Sequence, residues 1–180
     1  YYSFIFVEFF FVLSGFVLSQ QLIKVVNDKK NLKIFYLRRF YRTIPLYIVA
    51  LTFFSILTNS FSFDFLKYFF FIQKVIPDFL INDYFMVSWS LSIEEFFYFL
   101  FPVYLIFSKN KSILLPVIFF IIFLSLIKII FAGNFTSSFL RTGTFLRLDA
   151  IALGFLLSLF INKINSTRIF LVAFFLIGSL

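Results

Sequence analysis

Ser88-Trp89-Ser90-Leu91-Ser92-Ile93-Glu94-Glu95-Phe96-Phe97-Tyr98-Phe99-Leu100-Phe101-Pro102 places two adjacent carboxylates in a run of Phe, Leu and Ile. The stretch reads as the opening of a membrane helix. A carboxylate at the centre of a bilayer helix costs about 3 kcal/mol on insertion scales, so a chain that places two there uses at least one. Neighbouring residues on a helix point about 100° apart, and only one of the pair can face a narrow site squarely. Glu94 lies four after Ser90 and four before Tyr98, so these three share a polar stripe. Glu95 shares its face with Leu91, Ser92 and Phe99. Glu94 is therefore the expected inward group and Glu95 its neighbour at the rim. The plainer alternative puts both carboxylates at the water interface, where they merely end the apolar span.

The rest of the composition points the same way. The chain has 180 residues, 62% of them hydrophobic, including 35 Phe. A soluble domain of this size cannot hide that much aromatic surface, and several apolar runs approach the roughly 20 residues a spanning helix needs. The expected protein is an integral membrane one. Without Cys the sequence offers no disulfide, Cys-ligated zinc or thiol nucleophile. Without His it lacks the usual general base and zinc ligand. The first residues are Tyr1-Tyr2-Ser3 rather than Met, and the last lie in an apolar run at Leu180. The expectation is a segment, residues 1–180, of one transmembrane domain truncated at both ends.

Working outward, a first helix is expected from about Phe4 to Val26. Its Glu8 is followed by Gly15 and Ser19 on one face, and Gly15 would let another helix approach closely. A cationic stretch follows: Lys24, Lys29, Lys30, Lys33, Arg38, Arg39 and Arg42, opposed by Asp28. It supplies most of the net +8. The positive-inside rule places it in the cytoplasm, which is reason enough for the lysines. Arg39 and Arg42 lie three apart at the expected start of a second helix, about Thr43 to Asn59, and two guanidinium groups on one face make a fork for phosphate oxygens. Topology signalling is the alternative. Pro45 is expected in the first turns of that helix, where a missing N–H costs little.

Phe65 to Ile76 is apolar but short for a crossing, so an interfacial, re-entrant or tilted segment is expected there. Further helices are expected from about Ser88 to Phe107, Ile113 to Phe131 and Thr144 to Ile161. A sixth starts near Ile169. Ala132 to Ser138 reads as a polar loop. If Phe65–Ile76 does not cross, the basic turns at Lys109/Lys111 and Lys163/Arg168 fall on the side of the large basic stretch, as positive-inside requires. The fold class is thus all-α, a polytopic membrane helix bundle of about six spans plus one short interfacial or re-entrant segment. Near the fifth helix start, Arg147 and Asp149 are two apart and do not face each other. Each needs another partner, with Glu94 a candidate for Arg147; the alternative is an interfacial pair satisfied by water and headgroups.

Four ordered stretches resemble a known family. Glu8-Phe9-Phe10-Phe11-Val12-Leu13-Ser14-Gly15-Phe16 is similar to its LFFVLSGF helix. Arg38-Arg39-Phe40-Tyr41-Arg42 with Ile44-Pro45-Leu46-Tyr47 resembles its RR-x-x-R-x-x-P-x-Y segment. Trp89 to Tyr98 resembles its WSLSVEEQFY signature, and Arg147-Leu148-Asp149-Ala150 its R-x-D-A helix start. The family is acyltransferase family 3, integral-membrane O-acyltransferases of sugars, polysaccharides and peptidoglycan. The resemblance implies transfer of an acyl group, commonly acetyl, from acyl-coenzyme A to a hydroxyl of a cell-envelope carbohydrate or lipid-linked glycan. It implies a bacterial inner-membrane setting among lipid, with no metal and no nucleic acid.

By position, the resemblance puts donor binding on Arg39 and Arg42 and the reaction's machinery on Ser90, Glu94, Arg147 and Asp149. Glu94 would orient a base or hold the acceptor; Arg147 would stabilise negative charge or anchor Glu94. Glu8 stands where members more often carry Asp. The family's favoured base, a His on a preceding helix, has no counterpart here, so this segment alone is expected to be inactive. Two other readings use the same residues: a transporter or flippase whose path is lined by Glu8, Glu94, Arg147 and Asp149, and an inactive family member acting as a membrane partner.

Overall fold

The computed structural model describes residues 2–61, 63–77, 80, 83–108, 113–131 and 133–161. Helix α1 spans Tyr2–Asn27 and α2 spans Asn31–Leu57. A seven-residue α3, Phe63–Phe69, follows. A 3-10 turn at Met86–Ser88 leads into α4, Trp89–Phe107, and α5 is Leu114–Phe131. The short α6, Ser137–Thr142, and a 3-10 turn at Phe145–Arg147 precede α7, Leu148–Ile161. All the regular structure among the described residues is helical.

Four helices are long and apolar enough to cross a membrane: α1 from Ile5, α2, α4 with its preceding turn, and α5. The expected six is corrected to four among the described residues. Helix α7 covers only 14 described residues. The helix expected from Ile169 and the basic turns at Lys109/Lys111 and Lys163/Arg168 lie outside the described residues. Large side chains stand exposed along the outer faces, among them Phe6, Leu46, Phe119 and Ile129. Exposure of that kind suits hydrocarbon, and the chain is an integral membrane protein.

The second helix begins twelve residues earlier than expected. Asp28 makes the difference: its carboxylate accepts from the Lys30 N–H at 3.0 Å and its carbonyl from the Asn31 N–H at 3.0 Å. The Asn31 amide in turn donates to the Lys24 carbonyl at 3.2 Å. This turn reverses the chain within a few residues, and Lys, Arg, Leu and Phe propagate the helix well enough from there. Arg39 therefore sits eight residues inside α2, about 12 Å along its axis. Pro45 lies in the helix interior rather than its first turns. It cannot donate to the Tyr41 carbonyl.

The segment expected to be interfacial or re-entrant forms α3 and a turn, with no crossing. Phe71 takes a left-handed φ of 61° just past the helix, and the Ile72 N–H returns to the Lys67 carbonyl at 2.9 Å. A Phe rarely adopts that backbone. Its ring stacks on Tyr47 at 4.5 Å, which holds it there. The reversal turns the next residues back toward α4. Tyr68, whose hydroxyl donates to Asp83, has its phenol pKa pushed well up by burial and by that carboxylate. The loop expected at Ala132–Ser138 ends earlier than thought, because Thr136 caps α6 by accepting from the Phe139 N–H.

The main core lies where α1, α4 and α7 meet, around Phe11, Leu18, Phe97, Phe101, Ile151 and Phe155, with Val117 and Leu124 of α5 packed on. Two glycines set the α1–α7 spacing. A Cβ at Gly15 would lie 1.9 Å from the Ile151 carbonyl oxygen, and one at Gly154 would lie 1.9 Å from that of Val12. The backbones are in direct contact, the small-residue packing that lipid-embedded helices favour. Replacing Gly15 or Gly154 by Ala must push α1 and α7 apart, with an expected cost at or above the roughly 1–3 kcal/mol of overpacking. Gly133→Ala meets no atom within 4 Å and is expected to be neutral. Thermal unfolding of the three variants in detergent tests this ordering.

Candidate active site

Three helices converge on Glu94. Ser14 comes from α1; Arg39, Arg42 and Thr43 from α2; Glu94, Glu95 and Tyr98 from α4. Ser14 shares one turn of α1 with Gly15, so the close contact of Gly15 with α7 turns Ser14 toward the other neighbours. Its hydroxyl and that of Tyr98 hydrogen-bond at 2.8 Å. Thr43 Oγ1 donates to Glu95 Oε1 at 2.6 Å, and the Tyr36 hydroxyl donates to the Phe99 carbonyl at 2.9 Å. These bonds tie α1 and α2 to α4 around a cavity of about 230 Å³. Phe10, Leu13, Val17 and Leu18 supply its apolar wall.

Glu94 is only 7% exposed, and its Oε1 has no hydrogen-bond partner. Glu95 is half-buried and bonded to Thr43. The inward and rim placements expected of the pair match these surroundings. The Arg39 guanidinium carbon lies 4.8 Å from the Tyr98 ring centroid and 6.0 Å from that of Phe35. A cation–π contact of this kind is worth about 0.5–2 kcal/mol. It seats the guanidinium over the Tyr98 ring beside the cavity. Arg42 is exposed and has no ion-pair partner among the described residues. Arg39 forms no ion pair among the described residues, but Glu94 and Glu95 both attract its charge, and Arg39, Arg42 and Glu94 line the cavity together.

Ser90 stands apart from this cavity. Its hydroxyl reaches the Val87 carbonyl at 3.4 Å, and it lines a second groove of about 370 Å³ between α2 and α4. Arg42 and Thr43 line both spaces. In the stripe expected from α4, Ser14 of α1 thus takes the place beside Tyr98.

Arg147 and Asp149 belong to a different cluster. Arg147 does not reach Glu94 as a partner: its Nη1 lies 2.7 Å from Glu8 Oε1, and its Nε donates to the Arg141 carbonyl at 3.1 Å. The glycine contact brings the start of α7 onto α1, where Arg147 meets Glu8. Asp149 pairs with Lys128 of α5 and also accepts from the Ala150 N–H. Lys128 and its role were not anticipated. A lone Lys near the end of an apolar helix reads as an interfacial anchor, and only the packing of α5 on α7 shows its partner. Gln73 was also missed. It is 1% exposed, donates to Ser88 Oγ at 3.1 Å and to Ser92 Oγ, and keeps an unpartnered Oε1.

With side chains 17% and 16% exposed, Glu8 and Arg147 form a largely buried pair. Removing one partner of such a pair costs about 3–5 kcal/mol, whereas apolar replacement of both is often neutral. Arg147→Met alone is expected to destabilise the protein by that order, and Glu8→Leu with Arg147→Met to recover most of it. Unfolding midpoints of the single and double variants measure the difference.

The chain is similar to proteins provisionally named O-acetyltransferases in Staphylococcus aureus strains COL, MSSA476 and MRSA252. Each is 30% identical to it over 87% of this chain and 30% of the relative. The chain therefore spans under a third of the length of these curated relatives. No family model matches it, and no solved structure matches it. With its apolar helices and these bacterial relatives, the chain is an integral bacterial membrane protein.

Proposed function

We propose that this chain forms part of a membrane O-acyltransferase that moves an acyl group, acetyl in the simplest case, from acyl-coenzyme A to a hydroxyl of a cell-envelope carbohydrate. The observation that carries this reading is the convergence of Arg39, Arg42 and Glu94 on one cavity between three helices. Acyl transfer needs cations for the donor's phosphates, donors for the thioester oxyanion and a group that receives or positions the acceptor's proton. The cavity offers each kind of group. The similarity to proteins named O-acetyltransferases supports the same chemistry.

The cavity of about 230 Å³ has room for a thioester and a few methylenes, not for a coenzyme's nucleotide. Arg42 stands at the boundary with the groove along α2 and reaches the donor's phosphates from there. Arg38 lies one turn earlier and, with Lys24, lines a further space of about 250 Å³ toward the α1–α2 turn. These cations suit the nucleotide end. Arg39, held on Tyr98, points its charge at the reacting end and stabilises the oxyanion. Glu94, with a buried and unpartnered oxygen, accepts a hydrogen bond from the acceptor hydroxyl or from the base that deprotonates it. Ser90 contributes from the groove side. Arg147 and Asp149 act through the Glu8 and Lys128 pairs, as positioning residues for α1 and α7.

In the intact protein, Glu94→Gln is expected to reduce transfer from labelled acetyl-coenzyme A by about 100-fold, within the range of a lost proton-handling group. Full activity would remove Glu94 from the mechanism. Arg39→Ala with Arg42→Ala is expected to weaken acyl-coenzyme A binding by about 10-fold to 100-fold, the size of lost hydrogen bonds to a charged group. Unchanged affinity would remove the arginines. A transporter lined by the same charges has no reason to bind coenzyme A, so binding measured by isothermal titration separates the two readings.

A further inference from the structure

Three spaces follow one another along α2. The space lined by Lys24, Asn31 and Arg38 lies nearest the α1–α2 turn. The cavity of Arg39, Arg42 and Thr43 comes next, and the groove of about 370 Å³ continues from Arg42 and Thr43 to Ala50. The groove is apolar. Leu46, Tyr47 and Ala50 come from α2, and Phe85, Val87 and Leu91 from the entry to α4. The Tyr47 ring stacks on Phe71 at 4.5 Å and on Phe85 at 5.9 Å, which makes a packed aromatic floor.

We infer that this groove holds the acyl chain of the donor, so that the intact protein takes acyl-coenzyme A of about 8–12 carbons in preference to acetyl-coenzyme A. The inference rests on the acyl-transfer reading. Charge and hydrogen bonding are the first argument. Arg42 is the charged residue of the groove wall. A helical side chain leans toward the N-terminus of its helix. Arg42 therefore leans back toward the α1–α2 turn and the donor's phosphates, and the groove beyond it carries no charge. The hydroxyls of the wall are already engaged. Tyr47 donates to the Tyr68 carbonyl at 2.8 Å, Ser88 to the Phe85 carbonyl at 2.8 Å, and Ser90 to the Val87 carbonyl at 3.4 Å. Thr43 is bonded to Glu95 at 2.6 Å. Of the buried polar atoms without a partner among the described residues, none belongs to the groove wall. A sugar, a peptide or a headgroup would lose hydration there with little in return.

Exposure is the second argument. Leu46 and Val87, at the rim, are 73% and 79% exposed, so the groove opens sideways to hydrocarbon. Its occupant must be apolar toward the wall and toward the lipid, and an alkyl chain is both. Length is the third. Thr43 to Ala50 spans seven residues, about 10 Å along the axis. Staggered C–C bonds of about 1.5 Å advance about 1.3 Å each, so about eight carbons fill the groove. A bilayer lipid chain would also match an apolar groove. Continuity favours the donor: the groove shares Arg42 and Thr43 with the cavity, so a chain whose thioester sits at Arg39 and Glu94 continues along α2 into it.

The intact protein in nanodiscs is titrated with acetyl-, butyryl- and decanoyl-coenzyme A by isothermal titration, with the heat of empty nanodiscs subtracted. A butyryl chain ends within the cavity, and a decanoyl chain fills the groove. A methylene moved from water to apolar surroundings is worth about fourfold in affinity. With about six methylenes in a half-open groove, decanoyl-coenzyme A is expected to bind at least tenfold more tightly than butyryl-coenzyme A. Ala50→Phe fills the far end of the groove and is expected to lower the decanoyl-to-butyryl affinity ratio by about tenfold. In the unaltered protein, decanoyl-coenzyme A with a diazirine at its chain end is expected to cross-link within residues 46–50 and 85–91 on illumination. Cross-links confined to Phe10, Leu13 or Val17, on the α1 wall of the cavity, overturn the inference, as does an unchanged ratio in Ala50→Phe. Equal affinity for the three donors, the result of a groove filled by bilayer lipid, also overturns it and leaves the acyl-transfer reading standing. Absence of binding by any donor removes that reading and this inference with it.

Discussion

Direct backbone contact between α1 and α7 at Gly15 and Gly154 is the constraint on which the other arrangements depend. Lipid offers no hydrophobic drive to press helices together, so close packing and polar bonds must do it. With no side chain at either position, the Ile151 and Val12 carbonyls come within reach of the opposing helix axis. That contact assigns one face of α1 to α7. Glu8, on that side, meets Arg147. Ser14, one residue before Gly15, is turned to α4 and meets Tyr98. The separation of the charged residues into two clusters follows from this one crossing.

Within the site, the chain handles its charges in two different ways. Around α7 each carboxylate has a cation: Glu8 has Arg147 and Asp149 has Lys128. Such pairs are closed and serve to hold helices in register. Around Glu94 no cation forms an ion pair among the described residues. Arg39 rests on an aromatic ring, Arg42 has no ion-pair partner among the described residues, and one Glu94 oxygen is unmatched. Polar groups in lipid that stay unmatched within the protein are poised for something else. The contrast is why the proposed chemistry sits at α1–α2–α4 and not at the Arg-x-Asp segment.

Much of the helical layout was legible from apolar runs and their breaks. Helices α1, α4 and α5 begin and end within a few residues of where the runs do. The inward direction of Glu94 agrees with Tyr98, four residues on, whereas Ser90, four before, faces the neighbouring groove. The start of α2 was not legible, because a cationic stretch suits a cytoplasmic loop and a helix alike. Lys and Arg are good helix formers, and a three-residue turn at Asp28 suffices to reverse the chain. Helix α6 was hidden in a short polar stretch whose cap, Thr136, is a common loop residue. Gln73 carried no signal at all, since a single Gln within a short apolar segment has many equivalent explanations.

The sequence by itself determined that this chain enters a membrane, where most of its long apolar helices lie, and that Glu94 is the better placed of the two carboxylates to face inward. These are properties of composition and of the 3.6-residue period, both local. Only the tertiary structure decided which charge meets which. Arg147 could equally have served Glu94 or Glu8 from its place in the chain. The choice was made by the distance of closest approach between α1 and α7, which two glycines set more than a hundred residues apart. Coulomb attraction between charges falls with separation and grows in a medium of low dielectric. Inside a lipid-embedded bundle, the pairing of charges is therefore a consequence of packing and cannot be read from their order along the chain.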